Sequence, residues 1–255
     1  MLNGIAYQAL EATREIVPNW MTSMPDPMVM VGLDCQPFAV EVIVRGYLCG
    51  SAWREYKGGA RTLCGVRLPE GMREYDAFSN PILTPTTKAE AGHDENISRE
   101  EIMSRGIVAP EYYEQIERYA LSLFEAGSKL AAARGLILAD TKYEFGLRDG
   151  KVYLIDEVHT PDSSRYFESV DFESSIREGK APRQLSKEFV RQWLLDNGFS
   201  GKAGEKIPVL SDEQAAAISQ RYLELYERLV GKKLEHDTSA GFEQRMVERV
   251  NAIIK

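Results

Sequence analysis

Apolar positions set the first elements. Leu2, Ile5, Ala6, Ala9, Leu10 and Ile16 recur at helical spacing, and Pro18 follows the expected end of that helix. The stripe is in register from residue 2 with no capping residue before it, so the chain reads as opening inside an architecture. Met28 to Leu33 is a short apolar run. Residues 39–45 alternate, with Val40, Val42 and Val44 on one face and Glu41, Ile43 and Arg45 on the other. Residues 46–98 show no sustained period. Gly50-Ser51, Gly58-Gly59, Pro69, Gly71 and Thr84-Pro85-Thr86-Thr87-Lys88 read there as loop. Residues 110–134 predict a long helix through Tyr112, Ile116, Tyr119, Ala120, Leu123, Phe124 and Leu130, with Gly135 as the stop. A hairpin follows: 136–146, a turn at Asp149-Gly150, then 152–158. The remainder is helical. Ser186 caps a segment carrying Phe189, Trp193 and Leu194. Ser211 and Gln214 form a capping box before Ile218, Tyr222, Leu225 and Leu229, and a last helix carries Phe242, Met246, Val250 and Ile253.

The hairpin is the segment richest in chemistry. Period two puts Asp140, Lys142 and Glu144 on one face, beside apolar Leu136 and Leu138, and the second strand brings Asp156 and Glu157. Charges on a half-covered strand must pair with each other or with a ligand. Carboxylates at a strand end suit Mg²⁺, which takes one or two protein oxygens and completes its shell with phosphate and water. A lysine between them is a point charge for phosphate or carboxylate. The same residues also fit a cross-strand ladder of salt bridges. Register separates the outcomes. A two-residue turn pairs Glu144 with Ile155 and sends Asp156 to the opposite face, whereas a three-residue loop pairs Glu144 with Asp156. A shared metal requires the second, which is the register expected.

Other polar groups stand outside the hairpin. His159-Thr160-Pro161-Asp162-Ser163-Ser164-Arg165 has the hydroxyls, acid and arginine of an anion-binding turn, and also of an ordinary polar turn. Arg45 ends a hydrophobic strand ahead of Gly50-Ser51, where glycine lets backbone approach an oxyanion and serine adds a donor. His93-Asp94-Glu95 invites a metal or acid–base reading but sits in a loop before Ser98, an expected helix cap. His93, His159 and His236 are too scattered for a zinc site, and no GxSxG elbow occurs.

Composition narrows the class. The chain has 44% hydrophobic and 27% charged residues, values for an ordinary globular protein. A net charge of −8 argues against a general nucleic-acid or membrane-surface binder, though not against small anions held by a local basic cluster. Cys35, Cys49 and Cys64 form no CxxC pair, and no signal peptide opens the chain, so a reduced cytoplasmic protein is expected. No apolar run reaches the ~18 residues of a membrane span.

Several motifs together resemble one family. Residues 37–45 with Gly50-Ser51 resemble the first signature of the phosphoribosylaminoimidazole-succinocarboxamide synthase (SAICAR synthetase) family, and residues 140–146 resemble the second. Pro85-Thr86-Thr87-Lys88, residues 93–98 and residues 156–165 follow in the family's order. The resemblance implies an α+β fold with a two-lobe, ATP-grasp-like or kinase-like plan whose N-terminal lobe is incomplete. Residues 1–38 would be a remnant of the nucleotide-binding lobe, and 39–255 the substrate and magnesium lobe with a helical C-terminus. The family opens with a β-rich lobe whose glycine-and-lysine loop covers the ATP phosphates, and roughly that first fifth of the pattern is not found here. The implied activity is ligation of L-aspartate to carboxyaminoimidazole ribonucleotide at the expense of ATP, through an acyl phosphate, in purine biosynthesis. By motif, Glu144 and Asp156 are implied as magnesium ligands, and Lys142 as the contact to phosphates or reacting carboxylate, oriented by Asp140. Arg45, Ser51, Arg165 and Asp162 are implied for the ribonucleotide, and Lys88 and Glu41 for ATP. Mg²⁺ and ATP are the implied cofactor and co-substrate, and a homo-oligomer stays open. Two other readings remain at this stage: a non-catalytic ribonucleotide-binding protein, and an ATP-dependent ligase of another carboxylate.

Overall fold

A computed structural model describes residues 1–88, 95–186, 188–202, 204–235, 237 and 239–253. The chain opens with helix α1 (Leu2–Ala12), which ends earlier than its apolar stripe. A small hairpin follows, of strands β1 (Met21–Asp26) and β2 (Val29–Gly32), and then the long strand β3 (Gln36–Tyr47). Residues 46–98 are not mainly loop. They hold helix α2 (Gly50–Lys57), a two-stranded ribbon of β4 (Thr62–Leu63) and β5 (Val66–Arg67), and strand β6 (Ala77–Thr87). Helix α3 (Arg99–Ser104) starts at the expected Ser98, whose side chain closes a capping box with Glu101. The long helix α4 (Pro110–Ala133) matches its periodicity. Strands β7 (Leu136–Arg148), β8 (Lys151–Ile155) and β9 (Ser164–Glu168) then precede α5 (Phe172–Arg177), α6 (Glu188–Asp196), α7 (Asp212–Val230) and α8 (Phe242–Ile253). Among the described residues no helix is long and apolar enough to cross a membrane. His93, Asp94, His236 and the side chain of Phe189 lie outside the described residues.

One antiparallel sheet in the order β6-β3-β7-β8 organises the chain, with β9 pairing beside the first half of β7. Its covered face packs on α4. Val40, Val42 and Val44 meet Ile116, Ala120, Leu123 and Phe124 there, together with Tyr143 and Phe145. Leu136 and Leu138 belong to the same core, although strict alternation from Asp140 would put them on the charged face. A break in register between Leu138 and Asp140 against β9 reverses the alternation. Leucines and charges of one strand therefore face opposite ways, which period two applied along the whole strand does not anticipate.

The β7–β8 turn corrects the expected register. Arg148 pairs with Lys151 and Glu144 with Ile155, so the turn has two residues. Asp149 (φ 50°) and Gly150 (φ 73°) both take the left-handed conformation that such a turn requires. Asp156 then follows with φ 62°, and this local reversal, rather than the ladder, decides where its carboxylate goes.

Behind the sheet lies a buried polar knot. The Tyr143 hydroxyl and His159 Nε2 are 2.6 Å apart, and the Tyr166 hydroxyl donates to the His159 carbonyl at 2.9 Å. Burial pushes the His159 imidazolium down to about 4. Gly127 of α4 makes room for the ring, since a Cβ there would lie 2.4 Å from His159 Cε1.

Two outcomes follow from this knot. Alanine normally stabilises a helix interior over glycine by about 1 kcal/mol, but at residue 127 it overlaps a held ring. Gly127→Ala should lower unfolding free energy by about 1–3 kcal/mol; a raised urea midpoint would contradict this packing. An unfolded histidine takes up a proton near pH 6.5, whereas His159 in the fold resists it until about 4. Stability from this group is therefore complete above pH 6.5 and lost as pH falls towards 4, with a slope of up to about 1.4 kcal/mol per pH unit. Denaturant titrations of wild type and His159→Gln should show the variant's curve flatter across that window.

Candidate functional site

The open face of the sheet carries paired charges because of how β3 and β7 align. Arg45 lies opposite Asp140, Ile43 opposite Lys142, and Glu41 opposite Glu144. Two compensated clusters result. In the first, Arg45 is almost fully buried and all three guanidinium nitrogens are engaged: Nε donates to Thr84 Oγ1 at 2.8 Å, Nη1 to Asp140 Oδ2 at 3.1 Å, and Nη2 to Ser51 Oγ at 3.1 Å. Arg165, from β9, donates to the same Asp140 oxygen. A single carboxylate thus holds two guanidinium groups side by side, an arrangement suited to bidentate recognition of an oxyanion. Gly50 belongs to the arrangement. It takes φ 59°, and a Cβ there would lie 2.3 Å from Arg165 Nη2, so the arginine lies against bare backbone. Cys49 is buried next to Asp140, and burial foremost, with the carboxylate's charge, pushes its thiol up to about 12. A thiol so placed is packing material rather than a nucleophile.

In the second cluster Lys142 Nζ donates to Glu41 Oε1 at 3.0 Å and to Glu144 Oε1 at 2.6 Å, and Lys88 donates to the other Glu144 oxygen. Burial acts to raise the Glu144 carboxyl, but the two lysines outweigh it and hold it down at about 2. Glu41 goes the opposite way, raised by burial against the help of Lys142. Asp156, which lines the same cavity as Glu144, is raised too, by burial foremost and then by the charge of Glu144. Two hard carboxylates that repel each other at the edge of a cavity fit Mg²⁺, which needs only one or two such ligands from the protein.

The clusters border two cavities. One, of about 140 Å³, is lined by Arg45, Ser51, Asp140, Lys142, Asp162 and Arg165, among others. The other, of about 390 Å³, is lined by Trp20, Asp34, Cys35, Lys88, Glu144 and Asp156. Lys142 lines the first and bonds to a carboxylate of the second, so it stands at their junction. A wider cleft of about 720 Å³, bounded by Tyr47, Tyr75, Phe172 and Arg177, contains none of these groups. Volume is a poorer guide here than convergent charge.

Known proteins match the chain over most of its length. A family model described as SAICAR synthetase matches residues 1–208. A phosphoribosylaminoimidazole-succinocarboxamide synthase of Bacteroides fragilis is 54% identical over all 255 residues, which span 81% of its length. One from Bacteroides thetaiotaomicron is 55% identical over 251 residues, 98% of this chain and 80% of that protein. Among solved structures, an SAICAR synthase from Saccharomyces cerevisiae in complex with SAICAR superimposes with a TM-score of 0.76 at 30% identity, covering 92% of this chain and 82% of that one.

The chain belongs to the SAICAR synthetase family. Its α+β fold is that of the family. All ten residues singled out in the sequence converge on the open face or its rim: Glu41, Arg45, Ser51, Lys88, Asp140, Lys142, Glu144, Asp156, Asp162 and Arg165. Asp162 is tied down by the Tyr222 hydroxyl of α7 at 2.9 Å. Asp140 differs from its expected task. Its contacts run to the two arginines and Cys49, with none to Lys142 among the described residues, so it orients guanidinium groups instead. Ser186 makes no cap, since its hydroxyl has no partner among the described residues. Sequence reasoning missed Thr84, because the strand that carries it was read as loop. It also missed Trp20, whose indole donates to the Asp156 carbonyl at 3.0 Å across 136 residues of chain.

Removing Asp140 takes away the carboxylate that Arg45 and Arg165 share and leaves the buried Arg45 guanidinium without this partner. Asp140→Asn should lower unfolding free energy by about 3–5 kcal/mol and loosen anion binding at the same time. A denaturant midpoint within error of wild type would show that the arginines do not depend on it.

Proposed function

We propose that this chain joins L-aspartate to carboxyaminoimidazole ribonucleotide, with ATP converted to ADP and phosphate, as SAICAR synthetases do in purine biosynthesis. The observation that carries the reading is Lys142 at the junction of two cavities, one bordered by arginines and one by a carboxylate pair. The ribonucleotide phosphate lies between Arg45, Ser51 and Arg165, which Asp140 holds together. The nucleotide lies in the larger of the two cavities, beside Lys88 and Glu41, whose charges converge on Glu144. Residues 1–38 belong to the nucleotide-binding lobe and 39–255 to the substrate and magnesium lobe. The setting is the cytoplasm.

The reaction needs a carboxylate and a phosphoryl group brought together and their negative charge compensated. A carboxylate oxygen of the ribonucleotide takes the terminal phosphoryl group, and ADP leaves. The aspartate amine then forms a C–N bond at the acyl carbon as the C–O bond to phosphate breaks, and the amine gives up a proton. Lys142 compensates charge on the reacting carboxylate, between the two anions it already separates. Glu144 and Asp156 would hold a magnesium ion, whose charge, when bound, offsets that of the nucleotide phosphates. Lys88 and Lys142 occupy Glu144 in the free protein and keep it ionised, ready for a cation.

A coupled assay for ADP release tests this. Release should require the ribonucleotide, L-aspartate and Mg²⁺ together. Glu144→Gln should lower the rate by about 10²-fold or more while leaving ribonucleotide binding near wild type. Ribonucleotide binding without turnover would indicate a binding protein. ADP release with a different carboxylate alone would indicate another ligase. Near-normal rates for Glu144→Gln would remove its assignment as a metal ligand.

A further inference from the structure

Ser186 stands out among the polar groups around the smaller cavity. It lies two residues before α6 and lines the cavity with Arg45, Ser51 and Arg165. It is 2% exposed, and its hydroxyl has no hydrogen-bond partner among the described residues. The other lining hydroxyls are satisfied. Ser51 Oγ accepts from Arg45, Thr141 Oγ1 and Ser164 Oγ are 2.8 Å apart, and Ser163 bonds into the Thr160 turn. Burying an unpaired hydroxyl is costly, and folded proteins rarely leave one without reason. No described residue uses this donor. The cavity beside it has two arginines sharing one carboxylate, so it retains positive charge for an anion.

We infer that Ser186 is a substrate-binding residue, whose hydroxyl donates a hydrogen bond to the oxyanion held between Arg45, Ser51 and Arg165. The inference rests on the proposed function for the identity of that oxyanion: the phosphate monoester of the ribonucleotide, or a carboxylate of L-aspartate. The hydroxyl is idle in the free protein and engaged in the complex. Its removal should therefore affect binding but not folding, the opposite of what a cap or a core hydroxyl would show.

Ser186→Ala separates these roles. Its melting temperature should equal or exceed that of wild type, because an unsatisfied buried group is removed. Calorimetric affinity for 5-aminoimidazole-4-carboxamide ribonucleotide, a stable analogue bearing the phosphate, should fall about tenfold, the loss of one hydrogen bond to a charged group. Affinity for the corresponding phosphate-free riboside, and for ATP, should not change. If the tenfold loss appears instead in KM for L-aspartate, with ribonucleotide affinity kept, the oxyanion is the amino-acid carboxylate and Ser186 still contacts it. Unchanged affinity and unchanged KM would overturn the inference while leaving the ligase reading intact, as would a lowered melting temperature without a binding change. Wild-type protein that binds no ribonucleotide would overturn both.

Discussion

The site depends on the register of β3 against β7. Two long antiparallel strands, locked by valines against α4 on one side, have no freedom to shift. A slip of one residue would drive Glu41, Arg45, Lys142 and Glu144 into the core. Burial of Val40, Val42, Val44, Tyr143 and Phe145 thus fixes, from the far face, which charges meet on the near one. The pairing sets Glu41 opposite Glu144, which is unfavourable alone. Lys142 sits between them and bonds to both, and Arg45 opposite Asp140 makes the complementary pair.

Charge compensation on that face is also what makes it usable. Carboxylates balanced by lysines, and arginines balanced by a carboxylate, can each exchange partners when an anion or a metal ion arrives. Glu144 is kept ionised by Lys142 and Lys88, and Asp156 is raised by the nearness of Glu144. A cation between the two carboxylates, as proposed, would relieve the repulsion and free the lysines for phosphate. Arg45, with every nitrogen satisfied in the free protein, is held in one orientation before substrate comes, so less conformational freedom is lost on binding. The Tyr143–His159–Tyr166 knot beneath the face serves the same end by anchoring the loop that carries Asp162.

Much of this was legible in the sequence, and the exceptions share a cause. The alternation of residues 39–45, the periodicity of α4 and the charges of the 140–146 motif are local signals, and they mark both sheet faces, whereas the candidate site residues as a set come from the resemblance of separate motifs. What failed was non-local or depended on one backbone angle. Strand β6 contains Pro81 and Pro85, and prolines weaken any local case for a strand; it survives because it is the edge strand of the sheet, paired with β3 on one side and met on the other only near its end, by residues 95–97. Helix α2 is eight residues that open on Gly50 and end before Gly58-Gly59, too short for a periodic signal. The register break near Ala139 depends on the partner strand β9. A metal shared by Glu144 and Asp156 calls for a three-residue loop on ladder parity, yet with a two-residue turn and a left-handed residue 156 the two still line one cavity. Ladder parity does not bind a residue just beyond the last pair.

In the proposed function, one sheet face joins a nucleotide cavity to a ribonucleotide cavity at Lys142. The most direct test is a crystal structure of the chain with ADP, Mg²⁺ and 5-aminoimidazole-4-carboxamide ribonucleotide. The account predicts a metal ion coordinated by Glu144 and Asp156 at about 2.0–2.1 Å, the ribonucleotide phosphate between Arg45, Ser51 and Arg165, and Lys142 between the two ligands. A ribonucleotide seated in the cleft of Tyr47 and Tyr75, or a metal held without either carboxylate, would contradict it.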